Sequence, residues 1–175
     1  MNVILRLMLA LTAAAAPLQP PLPLVGQTKE YSVSIKDLRA APTMILLDNR
    51  SFSVSAFPWR DFMPGSWGPV GSPLMVGLKI ASADKKPLPS GIRLDRAWIL
   101  FGEEIWEVSD LRGRRQDHGE DSWINCSDIP ACEVTVRNGP KWGPGVFVDV
   151  VVQLTDREGQ RHFLQAPSQL VRASS

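Results

Sequence analysis

Apolar and polar residues alternate most regularly near the end of the chain, between residues 146 and 154. Every second position there is apolar, namely Val146, Val148, Val150, Val152 and Leu154. Because successive side chains of a β-strand point to opposite faces, this pattern predicts a strand with one core face and one mixed face. Residues 155–159 include an aspartate and a glycine, which favour a tight turn, and residues 160–165 resume as a strand. We therefore predict a β-hairpin.

Shorter segments with the same features predict the other strands. In the segment 74–80 every second residue is again apolar, which indicates another strand with a core face. We expect the segment 51–56 to end before Pro58, because proline is tolerated only at the end or edge of a strand. The predicted strands ahead of the hairpin are residues 31–35, 44–47, 51–56, 74–80, 92–101, 104–108 and 133–137.

Two of the connecting segments have the composition of loops. Residues 59–73 are rich in proline, glycine and aromatic residues and predict an ordered loop, whereas the polar segment 109–122 predicts an exposed, mobile excursion. About seven to nine short strands separated by turns, with no sustained helical period, predict an all-β fold. The expected architecture is a single antiparallel β-sandwich.

The C-terminal segment has a distinctive order of turn, strand and turn. The pair Pro144-Gly145 leads into the valine-rich strand, and Asp156 and Gly159 bound the turn that follows it. In this order the segment resembles bacterial immunoglobulin-like and fibronectin type III-like extracytoplasmic domains. The resemblance implies an immunoglobulin-like β-sandwich and a role in adhesion, scaffolding, inhibition or ligand binding.

The start of the chain has the features of a cleavable export signal. Residues 1–16 combine a basic residue, a short apolar run and small residues before Pro17, and the run is too short to span a bilayer of about 30 Å. We expect a proline-rich lead at 17–27 and the sandwich domain at 28–175. No cysteine precedes Cys126, so no lipid-modified cysteine is expected. The sequence thus predicts a secreted or periplasmic protein without a membrane anchor.

Charge and cysteine content narrow the classes of partner. The 19 basic and 18 acidic residues nearly cancel, so no nucleic-acid partner is expected. Cys126 and Cys132 flank a short segment, and in an exported protein such a pair predicts a local disulfide. The pair lacks the spacing and the neighbouring histidine of redox or metal sites, so we expect neither a metal nor a cofactor.

The residues that could support catalysis lack the patterns that catalysis requires. His118 and His162 are the two histidines of the chain, and neither belongs to a nucleophile motif. The acidic segment 117–121 lacks the ligand spacing of a calcium or zinc loop, and the glutamates of 103–107 have no second carboxylate placed for glycoside hydrolysis. We therefore expect the protein not to be an enzyme.

Tryptophan is unusually frequent, with six tryptophans beside one tyrosine. Four aromatic residues in or beside predicted loops are the candidate binding residues, namely Trp59, Phe62, Trp67 and Trp142. Exposed aromatics in loops make hot spots for a protein partner or stacking platforms for a sugar. The alternative is that these large side chains close the ends of the sandwich.

Three classes of function stay open on these observations. The first is a non-catalytic binding or structural module with a protein or glycan partner. The second is a secreted protease inhibitor that uses a proline-stiffened loop, at residues 57–73 or 126–132, as a preorganised plug. The third is an extracytoplasmic hydrolase, for which the sequence offers no catalytic cluster.

Overall fold

The structure, a computed structural model, describes residues 33–64, 67–109, 111 and 124–174. The expected signal, the proline-rich lead and most of the polar excursion lie outside these residues, although Leu111 is described and buried. The strands are β1 (Met44–Leu47), β2 (Arg50–Asp61), β3 (Leu74–Ser82), β4 (Arg93–Phe101), β5 (Glu104–Val108), β6 (Ile124–Asn125), β7 (Ala131–Gly139), β8 (Phe147–Thr155), β9 (Arg161–Leu170) and β10 (Arg172–Ser174). A helix α1 (Ile35–Arg39) precedes them, and a short 3₁₀ turn (Gly68–Val70) lies between β2 and β3.

The strands form two five-stranded sheets. The first has the order β1-β2-β3-β7, with β10 alongside β2, and the second has the order β5-β4-β8-β9, with β6 alongside β4. The described pairings are antiparallel except for that of β10 with β2, which is parallel. This topology confirms the predicted all-β antiparallel sandwich and the predicted hairpin, which is β8–β9, and β4 and β5 form a second hairpin.

The core lies between the two sheets and follows the alternation seen in the sequence. The apolar face of β3 is buried, and so is that of β8. The buried residues of these two faces are Leu74, Val76, Leu78, Ile80, Val148, Val150, Val152 and Leu154. Because both strands contribute every second residue to one cluster, the period of two fixes which face of each sheet turns inward.

The second face of β8 is covered as well, by helix α1. Ser34 caps this helix by accepting a hydrogen bond from the Asp37 amide at 3.2 Å. Leu38 is fully buried in a small cluster with Trp98 and Val151 on the outer face of the second sheet. The strand predicted at 31–35 is therefore wrong where it is described, because burial against this sheet face and the serine cap favour a helix over the local alternation.

Strand β2 continues beyond Pro58, contrary to the prediction that it ends there. On one side, residues 50–53 of β2 pair with β1 and residues 59–61 pair with β10. Among the described residues, the stretch between these two pairings has no strand partner on that side. Pro58 lies in this stretch, and an open sheet edge is a place where proline is tolerated.

Cys126 and Cys132 form a disulfide, as predicted, with their Cα atoms 5.1 Å apart. Both cysteines are buried in the main core cluster, so the bond fastens the start of β7 to the segment that follows β6. In the part of the chain that the structure describes, no helix is both long and apolar enough to cross a membrane.

Candidate functional site

The outer face of the first sheet carries three cross-strand rows of side chains. The strand register defines the first row as Arg172, Trp59 and Met75 on β10, β2 and β3. The second row is Phe57, Gly77 and Thr135, and the third is Ser55, Lys79 and Glu133, on β2, β3 and β7. These residues face away from the core, so the rows form a solvent-facing surface on a rigid sheet.

Gly77 is the centre of this surface and leaves a depression in it. Its backbone has no positive φ, and a Cβ atom added there would lie 3.7 Å from the Trp59 ring, an ordinary contact distance. The backbone therefore does not require glycine at this position, and glycine in the interior of a strand lowers stability. The resulting trough has a volume of about 860 Å³ and is lined by Ser55, Ala56, Phe57, Trp59, Gly77, Leu78, Lys79, Glu133, Val134, Thr135, Val136, Arg137 and Asn138.

One side of the trough is formed by an aromatic pair. The ring centroids of Phe57 and Trp59 are 5.8 Å apart and their planes are tilted by 43°. Phe57 is 49% exposed, an unusual exposure for a phenylalanine in the middle of a sheet. The guanidinium of Arg172 lies over the Phe57 ring at 4.9 Å, so the aromatic pair is flanked by a cation.

The other side of the trough is formed by β7, which bulges at Arg137 and Asn138. Val136 pairs with Val76 and Gly139 pairs with Leu74, so β7 contains one residue more than β3 in this interval. The two β7 residues in this interval, Arg137 and Asn138, are both exposed as a result. The bulge thus presents a guanidinium and an amide side by side at the rim of the trough.

The structure separates the four aromatic residues that the sequence singled out. Trp59 belongs to the trough, and Trp67 is 50% exposed in the loop 62–73. Phe62 packs beneath Gly71, whose added Cβ would lie only 2.4 Å from its ring. Trp142 is 9% exposed and belongs to the main core cluster, so it closes the end of the sandwich and is not part of a surface.

Two contacts hold Trp142 in place at the end of the sandwich. Its indole Nε1 donates a hydrogen bond to Glu104 Oε2 at 2.9 Å. Its ring lies 5.6 Å from that of Phe101. The polar atom of this large buried side chain is therefore satisfied, as burial of a tryptophan requires.

Arg60 is a buried residue that the sequence analysis did not identify. It points inward from β2, is 5% exposed, and donates hydrogen bonds to four backbone carbonyls. The accepting residues are Val70, Ser72, Lys141 and Gly143. Since two of these carbonyls belong to the loop after β2 and two to the loop before β8, Arg60 fastens both loops together.

A titratable pair lies at the turn between β8 and β9. His162 Nε2 and Asp156 Oδ2 are 2.7 Å apart. Burial raises the pKa of Asp156, but hydrogen bonds from His162 and from the Gln160 amide outweigh it, so this pKa lies below its usual value. Both partners belong to one hairpin, and the contact stabilises that turn.

The remaining candidates for metal binding form no cluster in the described residues. No group of three or more histidine, cysteine, aspartate or glutamate residues there could hold a metal ion. His118 and the acidic segment 117–121 lie outside the described residues.

The trough residues that sequence reasoning missed are Phe57, Gly77 and Arg137. The alternation in β2 offered one signal of this surface. It places Phe57 and Trp59 on the same outward face as Ser53 and Ser55, where two neighbouring aromatic residues are unexpected.

The fold and this surface define a two-sheet β-sandwich domain with a trough on one outer face. No family model matches the chain, and no curated protein matches it. Among solved structures, the chain is similar to a Bordetella pertussis chain assigned to ApaA, with 12% sequence identity and a TM-score of 0.40. The similarity covers 74% of this chain and 97% of that chain. At these values it carries no argument about function.

Proposed function

We propose that this protein is an exported, non-catalytic binding module that holds a carbohydrate chain in the trough of its first sheet. The observation that carries the proposal is the aromatic pair beside the depression at Gly77, in which Phe57 is exposed and Trp59 is partly exposed. An aromatic ring fixed on a sheet offers an apolar face to a sugar ring and loses little conformational entropy on binding.

The polar groups around the trough also suit a carbohydrate. Thr135 and Ser55 supply hydroxyl groups and Asn138 supplies an amide, which together donate and accept hydrogen bonds as sugar hydroxyls do. Export is supported by the Cys126–Cys132 disulfide, since such bonds persist in oxidising compartments. The proposal keeps the expected class of function and moves the binding surface from the loops to the sheet.

Affinity gel electrophoresis against a panel of neutral and acidic soluble polysaccharides tests this proposal. We expect at least one polysaccharide to retard the wild-type protein, and we expect Trp59→Ala to migrate as it does in a gel without polysaccharide. Trp67→Ala is the matched control, because it removes an equally large exposed ring from the loop instead of the trough. The proposal is contradicted if no polysaccharide retards the wild type, or if Trp59→Ala is retarded as strongly as Trp67→Ala.

A protease inhibitor is the second candidate, and the contacts of Arg60 favour it. The hydrogen bonds to Val70 and Ser72 hold one end of the loop 62–73, which presents Met63 and Trp67 to solvent. A preorganised loop of this kind is what a protease plug needs. Incubation with trypsin, chymotrypsin and elastase tests it, and the candidate fails if none of the three is inhibited.

A further inference from the structure

We infer that the carbohydrate held in the trough is acidic, with carboxylates on its sugar rings, and that Arg137 and Arg172 bind those carboxylates. This inference rests on the proposed function, because it specifies the ligand of the same surface. It is carried by the positions of two guanidiniums on either side of Trp59, that of Arg172 at the β10 end of its cross-strand row and that of Arg137 beside Met75 at the other end.

The two arginines bracket the aromatic pair. Arg172 pairs with Trp59 in the register of β10 and β2, and its guanidinium covers the Phe57 ring. On the other side of the row, Arg137 Nη1 lies 3.3 Å from the Met75 sulfur. A sugar ring stacked on Trp59 would therefore lie between two cations.

Neither guanidinium is neutralised by a carboxylate among the residues that the structure describes. The contacts of Arg137 and Arg172 are with a thioether and an aromatic ring, which are weak partners for a guanidinium. By contrast, Lys79 at the far end of the trough pairs with Glu133 at 2.7 Å. The positive charge of this surface is thus concentrated beside Phe57 and Trp59.

The next carboxylate along β2 does not change this balance. Asp61 accepts a hydrogen bond from the Met63 amide at 2.9 Å, and in the part of the chain that the structure describes it forms no ion pair with Arg137 or Arg172. An anionic ligand would meet two guanidiniums whose planar donor groups match a carboxylate in two parallel hydrogen bonds. Charge complementarity therefore favours a carboxylate-bearing ligand over a neutral one.

Two other anionic partners fit this surface less well. A nucleic acid requires a broad basic field, whereas this chain has 19 basic and 18 acidic residues and the trough itself contains Glu133. An extended acidic peptide binds sheets mainly through backbone hydrogen bonds at a free edge. The trough instead lies on the face of the sheet, across β2, β3 and β7, where side chains and not backbone groups are presented.

The test measures Kd by affinity electrophoresis with polygalacturonate, alginate and hyaluronate, each beside its carboxyl-reduced, neutral form. We expect at least one acidic polymer to bind about tenfold or more tightly than its reduced form, as the loss of a charge-assisted hydrogen bond implies. Arg137→Gln and Arg172→Gln should each weaken binding to the acid about tenfold and leave the reduced form unaffected. Arg161→Gln, which removes the same charge from the other sheet, should change neither value.

The failures of the two proposals are distinguishable. If only neutral polysaccharides bind, or if reduced and acidic forms bind equally, the acidic ligand is excluded while the carbohydrate-binding function stands. If neither neutral nor acidic polysaccharides bind, both proposals fall. The inference is also overturned if poly-L-glutamate binds as tightly as the acidic polysaccharides, or if neither arginine variant weakens binding.

Discussion

The contacts of single residues separate side chains that maintain the fold from those available for binding. Arg60 and Arg137 are both arginines near the same end of the first sheet, but only Arg60 is buried. A buried guanidinium without hydrogen bonds would be strongly destabilising, and Arg60 avoids this cost through backbone carbonyls of two loops. Its role is therefore structural, whereas Arg137 is free to meet a ligand.

Replacing Arg60 tests this distinction. Arg60→Met keeps much of the apolar stem but leaves four backbone carbonyls, in buried or part-buried contacts, without their donor, so we expect a loss of about 3–5 kcal/mol in the free energy of unfolding. Arg161→Met, at an exposed position, should change it by no more than about 0.5 kcal/mol. Urea denaturation of both variants measures the difference. Equal midpoints would mean that Arg60 does not hold the two loops.

Trp67 and Trp142 each begin a Trp-Gly-Pro segment of the sequence, but their truncation should have different effects on stability. Trp142→Ala removes a buried ring and its hydrogen bond to Glu104, so we expect a loss of about 3–5 kcal/mol. Trp67→Ala removes a half-exposed ring and should stay within about 0.5 kcal/mol. Thermal melts of the two variants test this. A large loss of stability in Trp67→Ala would contradict the prediction and mean that the Trp67 ring is part of the core.

At the scale of elements, helix α1 completes the fold by covering the outer face of the second sheet. Leu38 is fully buried against this face, whereas Lys36 on the same helix is exposed. We expect Leu38→Ala to lower the free energy of unfolding by about 2–5 kcal/mol and Lys36→Ala to have almost no effect. Urea midpoints of the two variants test this. If Leu38→Ala is as stable as wild type, the packing of the helix on the second sheet does not contribute to the free energy of unfolding.

The turn between β8 and β9 should give the stability a component that depends on pH. The pKa of Asp156 is lower in the folded protein than its usual value, so its contribution is present above the unfolded pKa of about 3.9 and is lost as the pH falls through the folded pKa. We expect Asp156→Asn to be less stable than wild type at about pH 7, and this difference to shrink by about pH 2.5. Urea midpoints at both pH values test it. If the difference in stability between Asp156→Asn and wild type is the same at both pH values, the pairing of Asp156 with His162 is not its cause.

The strands and the helix also show which parts of the structure could be predicted from the sequence. Strands β3 and β8 could be predicted because each keeps an uninterrupted apolar face. Helix α1 could not, because its five residues are too few for a helical period and its burial depends on a sheet distant in sequence. The trough could be predicted even less, since it depends on the register that places Phe57 beside Gly77 and on the bulge in β7.

At the scale of the whole molecule, the two outer faces of the sandwich differ in how they are covered. Helix α1 packs on the second sheet, whereas the aromatic pair of Phe57 and Trp59 lies beside the open trough on the outer face of the first sheet. An exposed apolar surface on a sheet face is a usual mark of an interaction site. Our central claim is that this face, and not the loops at the ends, is the ligand surface.

Filling the trough tests this claim most directly. Gly77→Gln adds a side chain at the centre of the depression, and its Cβ fits without strain. Ala81→Gln is the matched control, because Ala81 lies on the same face of β3 but does not line the trough. We predict that Gly77→Gln abolishes retardation by the bound polysaccharide with no loss of thermal stability, while Ala81→Gln binds as wild type. Undiminished binding by a folded Gly77→Gln variant would contradict the account.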